Sequence, residues 1–341
     1  MSLGATLAAS FLVTLGRPAT WPLALAAFLV RGGLLLVVAP ILVLPSAVGL
    51  ANVVAPMLTS FVFGGASPEL VVVLTVGAVA GVLWLIGGGF VAAAAEAELT
   101  RLVVGRDEVV ALFAPERAAV EADGRSAAGA PMRSGAGTPG ATWRILAVRL
   151  IACAPLLIAL LWGTARIVTV AYRELTIPSD VVTPVVLRVV RGAPEAVGAI
   201  VVTWLLGQVI GALAARRVAL GGERVRAALA GAVGRMLRHP VRTLIIELLP
   251  LALLVVVMAP SAAAAAAAWT AVRASLATGG SVVITIVLVA AFVGLWLGGL
   301  VLAGAVSAWR AAAWTLEAAG TFGAFGPAER GIGAGGETLA R

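Results

Sequence analysis

Apolar residues run through this chain in long unbroken stretches, not in the alternation of a half-buried strand or the single stripe of a surface helix. A helix needs about 20 mostly apolar residues to cross a hydrocarbon core of roughly 30 Å. Six stretches reach that length: 22–44, 70–95, 145–166, 193–214, 241–260 and 281–308. They predict an all-α, polytopic membrane protein with six transmembrane helices. The first 16 residues are also apolar, but Gly16-Arg17-Pro18 stops them short of a span. They lack the positive start of a cleaved signal peptide. An interfacial or cytoplasmic helix is expected there.

The polar interruptions divide the chain further. Residues 1–16 precede a first hairpin, 17–96, and a charged extension with a linker, 97–144. A second hairpin covers 145–214, a basic loop 215–240 and a third hairpin 241–319, before a tail over 320–341. The segment 126–140 and the tail from Gly320 are rich in Gly, Ala, Ser and Pro and poor in large apolar residues, so both are expected to be disordered.

The three hairpins look related. Pro45-Ser46-Ala47 matches Pro260-Ser261-Ala262, and Gly64-Gly65 matches Gly279-Gly280, at one offset of 215 residues. The returning helices share Leu83-Trp84-Leu85 and Leu295-Trp296-Leu297, and the middle hairpin carries Trp204-Leu205-Leu206-Gly207 at comparable depth. Repeats in the same direction predict three hairpins in an arc or about a pseudo-threefold axis. In the middle hairpin the outer loop, 172–192, mixes valines with Thr183, Arg188 and Arg191, as an interfacial helix on the outer face would.

Composition agrees with the pattern: 61% of the 341 residues are hydrophobic and 12% charged, against about a quarter charged in a soluble domain. One His (His239) and one Cys (Cys153) are too few for a zinc site built within one chain. No metal or cofactor is expected. All 24 basic residues are Arg, which removes lysine chemistry. The net charge of +8 is read as topology, not as nucleic-acid binding. With the N-terminus inside, the inner segments hold 17 Arg and the outer ones 5. That bias predicts a bacterial cytoplasmic (inner) membrane protein with both termini in the cytoplasm.

Ionisable residues at membrane depth are costly and mark functional sites or interhelical pairs. Arg31, Arg149 and Glu247 each lie in the first helix of a hairpin, and Gln208 adds a polar group in the fourth span. They form either a substrate or proton path or an ion pair that orients the bundle. Glu247 is expected to face the interior and to pair with Arg31 or Arg149. The basic cluster Arg216, Arg217, Arg224, Arg226, Arg235, Arg238 and Arg242 is a candidate for anionic lipid headgroups on the cytoplasmic face, besides its topological role. Outside, Glu174, Asp180 and Glu195 are carboxylates that folding could bring together.

Six spans, long outer loops, a charged inner extension, and Arg17-Pro18 and His239-Pro240 before odd spans resemble a group of uncharacterised bacterial membrane proteins. These are similar to the membrane domain attached to some glycerophosphodiester phosphodiesterases. The resemblance covers roughly 17–317 and rests on architecture. The catalytic residues of those enzymes belong to a separate soluble domain with no counterpart here, so it implies a membrane module and no chemistry.

The function expected is therefore a non-catalytic accessory, scaffold or assembly subunit whose partners are the bilayer and another membrane protein. A permease for a small or amphipathic substrate is the alternative. A lipid-acting enzyme using the outer carboxylates is the third reading.

Overall fold

A computed structural model of the chain describes residues 2–38, 65, 68–104, 140–177, 179–180, 183, 185–279 and 281–324. All regular structure among them is helical, as the hydrophobic pattern predicts. Helix α1 (Leu3–Leu15) is followed by α2 (Thr20–Phe28), a π-helical turn (Leu29–Gly33) and α3 (Leu34–Val38). Next come α4 (Pro68–Leu83), a second π-helical turn (Trp84–Gly88) and α5 (Gly89–Val104). Then follow α6 (Ala141–Thr176), α7 (Val185–Gly192), α8 (Pro194–Gly221), α9 (Val225–Arg238), α10 (Pro240–Ala277) and α11 (Val282–Ala324).

Five helices are long and apolar enough to cross a membrane, or six if the bent pair Leu3–Leu15 and Thr20–Gly33 counts as one span. These are the helices of a membrane-embedded, multi-pass protein. The loop carrying Pro45-Ser46-Ala47, the linker 126–139 and the tail beyond 324 lie outside the described residues.

Several ends fall beyond the lengths set by hydropathy. Helix α10 does not stop at Pro260 but continues to Ala277, with Pro250 and Pro260 inside it. Proline is tolerated in long apolar helices because neighbouring helices and local adjustments satisfy the freed backbone groups. The stretch after Pro260 is nearly all alanine, the best helix former, so propensity extends the helix where hydropathy predicts an outer loop. Helix α6 likewise runs ten residues past the expected end at 166. Helix α11 passes Gly320 and reaches Ala324, so the tail is helical at its start.

Helix α1 packs by an unusual face. Thr6, Ser10 and Thr14 are buried at four-residue spacing, while Phe11, Leu12 and Leu15 are exposed. Each buried hydroxyl donates to a carbonyl of its own helix, to Ser2, Leu7 and Ser10 respectively, so no polar group is stranded. The small side chains let α11 approach, where the Trp309 indole donates to the Ser10 hydroxyl at 3.0 Å. Between α1 and the α2 region the chain bends by 107°. The exposed apolar side suits the interfacial position expected for the first 16 residues.

The helices are packed most densely at one end. The main core joins Ala93, Ile145, Val148, Val209, Ala212 and Ile246, from the end of α5, the start of α6, the end of α8 and the start of α10. All these segments lie at the end that carries the arginines. Backbones meet closely there: a Cβ on Gly207 would sit 2.8 Å from the carbonyl oxygen of Ala152. Toward the opposite end packing is local: Val170 meets Ala196 between α6 and α8, the Ser275 and Thr285 hydroxyls join α10 to α11, and α4 stands apart. None of the most apolar stretch of Val71–Val104 is buried, against 33% for Pro194–Gly221.

Candidate functional site

The first membrane helix breaks at its charged residue. Gly32 has φ +108° and Arg31 has ψ 16°, both outside helical values. Across the π-helical turn the Leu34 amide donates to the Leu29 carbonyl, five residues back. Within that turn the Trp84 indole donates to the Val30 carbonyl at 2.9 Å. Trp84 opens the second π-helical turn, whose Gly88 lies directly against Val30. Two irregular turns thus face each other beside Arg31.

Opposite the break sits Glu96 on α5, 2% exposed. Three arginines from three different elements converge on this one carboxylate. Arg149 on α6 donates through Nε to Oε2 at 3.1 Å and through Nη2 to Oε1. Arg31 reaches Oε2, and Arg216 on α8 reaches Oε1. Glu247 on α10 is fully buried and forms a second centre. Arg310 on α11 clamps it through both Nε, at 3.0 Å, and Nη2. The Trp314 indole donates to Oε2 at 2.9 Å, and Arg310 also reaches Gln208 Oε1 at 3.3 Å.

The expected interior position of Glu247 agrees with this arrangement; its expected partner does not. Glu247 pairs with Arg310, and Arg31 and Arg149 pair with Glu96. Neither Glu96 nor Arg310 stands out by hydropathy, because one falls just past the apolar core of the second span and the other two residues beyond the sixth. Both helices continue unbroken, and that extension carries the charges inward among neighbours. A signal for Glu96 exists in the sequence: it follows Trp84 by twelve residues, as Arg216 follows Trp204, and the two ends of that shared spacing pair with each other. The Ala92–Ala95 run before Glu96 is a second sign, since only small neighbours let helices enclose an acid this closely.

The seven arginines proposed for lipid headgroups separate into two groups. Arg216 is buried on Glu96, Arg217 pairs with Glu223 at 2.8 Å, and Arg235 and Arg242 both hold Glu317 at 2.6 Å. Glu317 is itself buried. Arg224, Arg226 and Arg238 remain exposed on or beside α9. Arg144 donates to the Gly222 carbonyl at 3.0 Å, closing the end of α8.

The outer acids are each engaged. Glu174 accepts from the Ser179 amide and hydroxyl and lies 3.1 Å from Arg188, and Arg188 turns inward from α7 onto the Thr183 carbonyl. The outer amphipathic helix therefore buries its arginine and exposes Val186 and Leu187. Asp180 binds Thr183. Glu195 is held separately by Arg166 at 2.8 Å. Among the described residues no three His, Cys, Asp or Glu side chains converge in a way that could hold a metal ion. An apolar cleft lies between α10, α11 and α3, lined by Val37, Met258, Ser261, Leu295 and Trp296. The Trp296 indole crosses it to the Val37 carbonyl at 3.0 Å. Trp84 and Trp296, matched in sequence, therefore both bind carbonyls of the first membrane helix, Trp84 within its own hairpin and Trp296 across from the third. No protein-family model, curated protein or solved structure matches the chain.

Proposed function

We propose that this protein is a non-catalytic assembly or accessory subunit of the bacterial cytoplasmic membrane, with both termini in the cytoplasm. The observation that carries the reading is a pair of unpartnered close-packing motifs at the separated end. Gly77 and Gly81 on α4, and Gly294 and Gly298 on α11, each have the four-residue spacing that lets two transmembrane helices approach backbone to backbone. Among the described residues, a Cβ added at any of the four would meet nothing within 4 Å. Elsewhere in the chain glycines of this kind are already used, as Gly207 is against α6. The ion-paired end supplies a rigid base, and the open end supplies faces for another membrane protein.

The test is affinity purification of the tagged full chain in mild detergent, beside a Gly77→Leu/Gly81→Leu variant. A stoichiometric membrane-protein partner, lost from the variant, supports the reading. A parent that purifies as a lone monomer from native membranes contradicts it. The second reading, a permease, draws on the break at Arg31–Gly32, since discontinuous helices at membrane depth carry substrate sites in many transporters.

A further inference from the structure

The cluster around Glu96 and Glu247 does not balance. Arg31, Arg149, Arg216 and Arg310 supply four positive charges, and the two glutamates supply two negative ones. Guanidinium groups remain charged at any ordinary pH, so among the described residues two positive charges stand uncompensated between packed apolar helices. Charges at this depth are kept when they are paired or when they serve a ligand. A donor is also left over: the Arg216 side chain is 4% exposed, and its buried Nε has no hydrogen-bond partner. Access exists on one side. Arg31 and Arg310 are 32% and 25% exposed, and the space beside Gly32 at the helix break is empty of neighbouring atoms within 4 Å of a Cβ position.

We propose that Arg31, Arg149, Arg216 and Arg310 form a binding site for a phosphate group, which enters at the break in the first membrane helix. Arg149 and Arg310 spend one fork edge on the glutamates; the remaining guanidinium N–H groups match phosphoryl oxygens, and one or two negative charges match the surplus. Glu96 and Glu247 hold the arginines in place without neutralising them. The phosphate comes either from an anionic lipid headgroup reaching in from the bilayer or from a soluble phosphate. This site is independent of the partner-docking face and would persist if that face had no partner.

Two arms distinguish the sources. The full chain is placed in nanodiscs of neutral phosphatidylcholine and titrated with inorganic phosphate against chloride at equal ionic strength. In parallel, phosphatidylglycerol is added to the discs without phosphate. Melting followed by tryptophan fluorescence, and native mass spectrometry of bound adducts, report binding. The parent melts at higher temperature in one or both arms, and Arg31→Gln weakens the response about tenfold, as expected for one lost charged hydrogen bond. Arg310→Gln serves if Arg31→Gln does not fold. Arg166→Gln, at the other end of the bundle, responds as the parent does. A response to phosphate alone identifies a soluble ligand, and a response to phosphatidylglycerol alone identifies a headgroup. No response in either arm, or an equal response in the parent and both cluster variants, overturns the site.

Discussion

The two ends of this bundle are made from nearly the same apolar residues, yet the larger core lies at only one of them. At the charged end, every buried carboxylate binds arginines from other helices: Glu96 joins α5 to α6, α8 and the broken first helix, Glu247 joins α10 to α11, and Glu317 joins α11 to α9 and α10. At the other end, the apolar faces of α4 and α11 point away from the protein. In a bilayer, hydrophobic surface gains nothing by meeting other hydrophobic surface, because lipid tails are equally apolar. Polar contacts and close small-residue packing decide where helices associate. The charged end has both; at the other end polar contacts tie only α6 to α7 and α8, and α4 carries small residues alone.

The comparison predicts unequal effects of mutation. The largest is expected at Glu96. Glu96→Ala strands three arginines and should cost about 3–5 kcal/mol, as removing one side of a buried pair does. Equilibrium unfolding in detergent without added phosphate measures it, and a parent-like curve would mean the cluster is not structural. A smaller loss, about 0.5–1.5 kcal/mol, is expected for Trp84→Phe, which keeps the ring but leaves the Val30 carbonyl at the break without the indole donor. The smallest is at the open end. Gly81→Leu should leave the stability of the isolated protein within about 1 kcal/mol of the parent, while Gly207→Leu, against the Ala152 backbone, should cost more.

Much of the architecture was legible because apolar length is a strong signal. The helical class, the long apolar spans and the charged end follow from where long apolar runs stop and arginines begin. Helix ends were less legible, since the alanine run after Pro260 continues a helix that hydropathy alone would end. The site was legible in part. Arg31, Arg149, Gln208 and Glu247 stand out as polar groups within spans, and all four enter the cluster. Their partners Glu96 and Arg310 do not, because a residue just past a span is indistinguishable from an ordinary cytoplasmic charge until packing places neighbours around it. The Pro-Ser-Ala and Leu-Trp-Leu matches mark similar hairpins, but Trp84 and Trp296 converge on one helix, so similarity in sequence does not carry over to equivalent contacts.

The central claim is that cross-helix ion pairs, not apolar burial, fix the charged end. A double-mutant cycle on Glu247 and Arg310 tests it most directly, using Glu247→Gln, Arg310→Gln and the double variant, with unfolding free energies measured in one detergent. The account predicts a coupling energy of about 1.5–3 kcal/mol, the range of a charge-assisted contact between neighbours. Additivity within about 0.5 kcal/mol would contradict it.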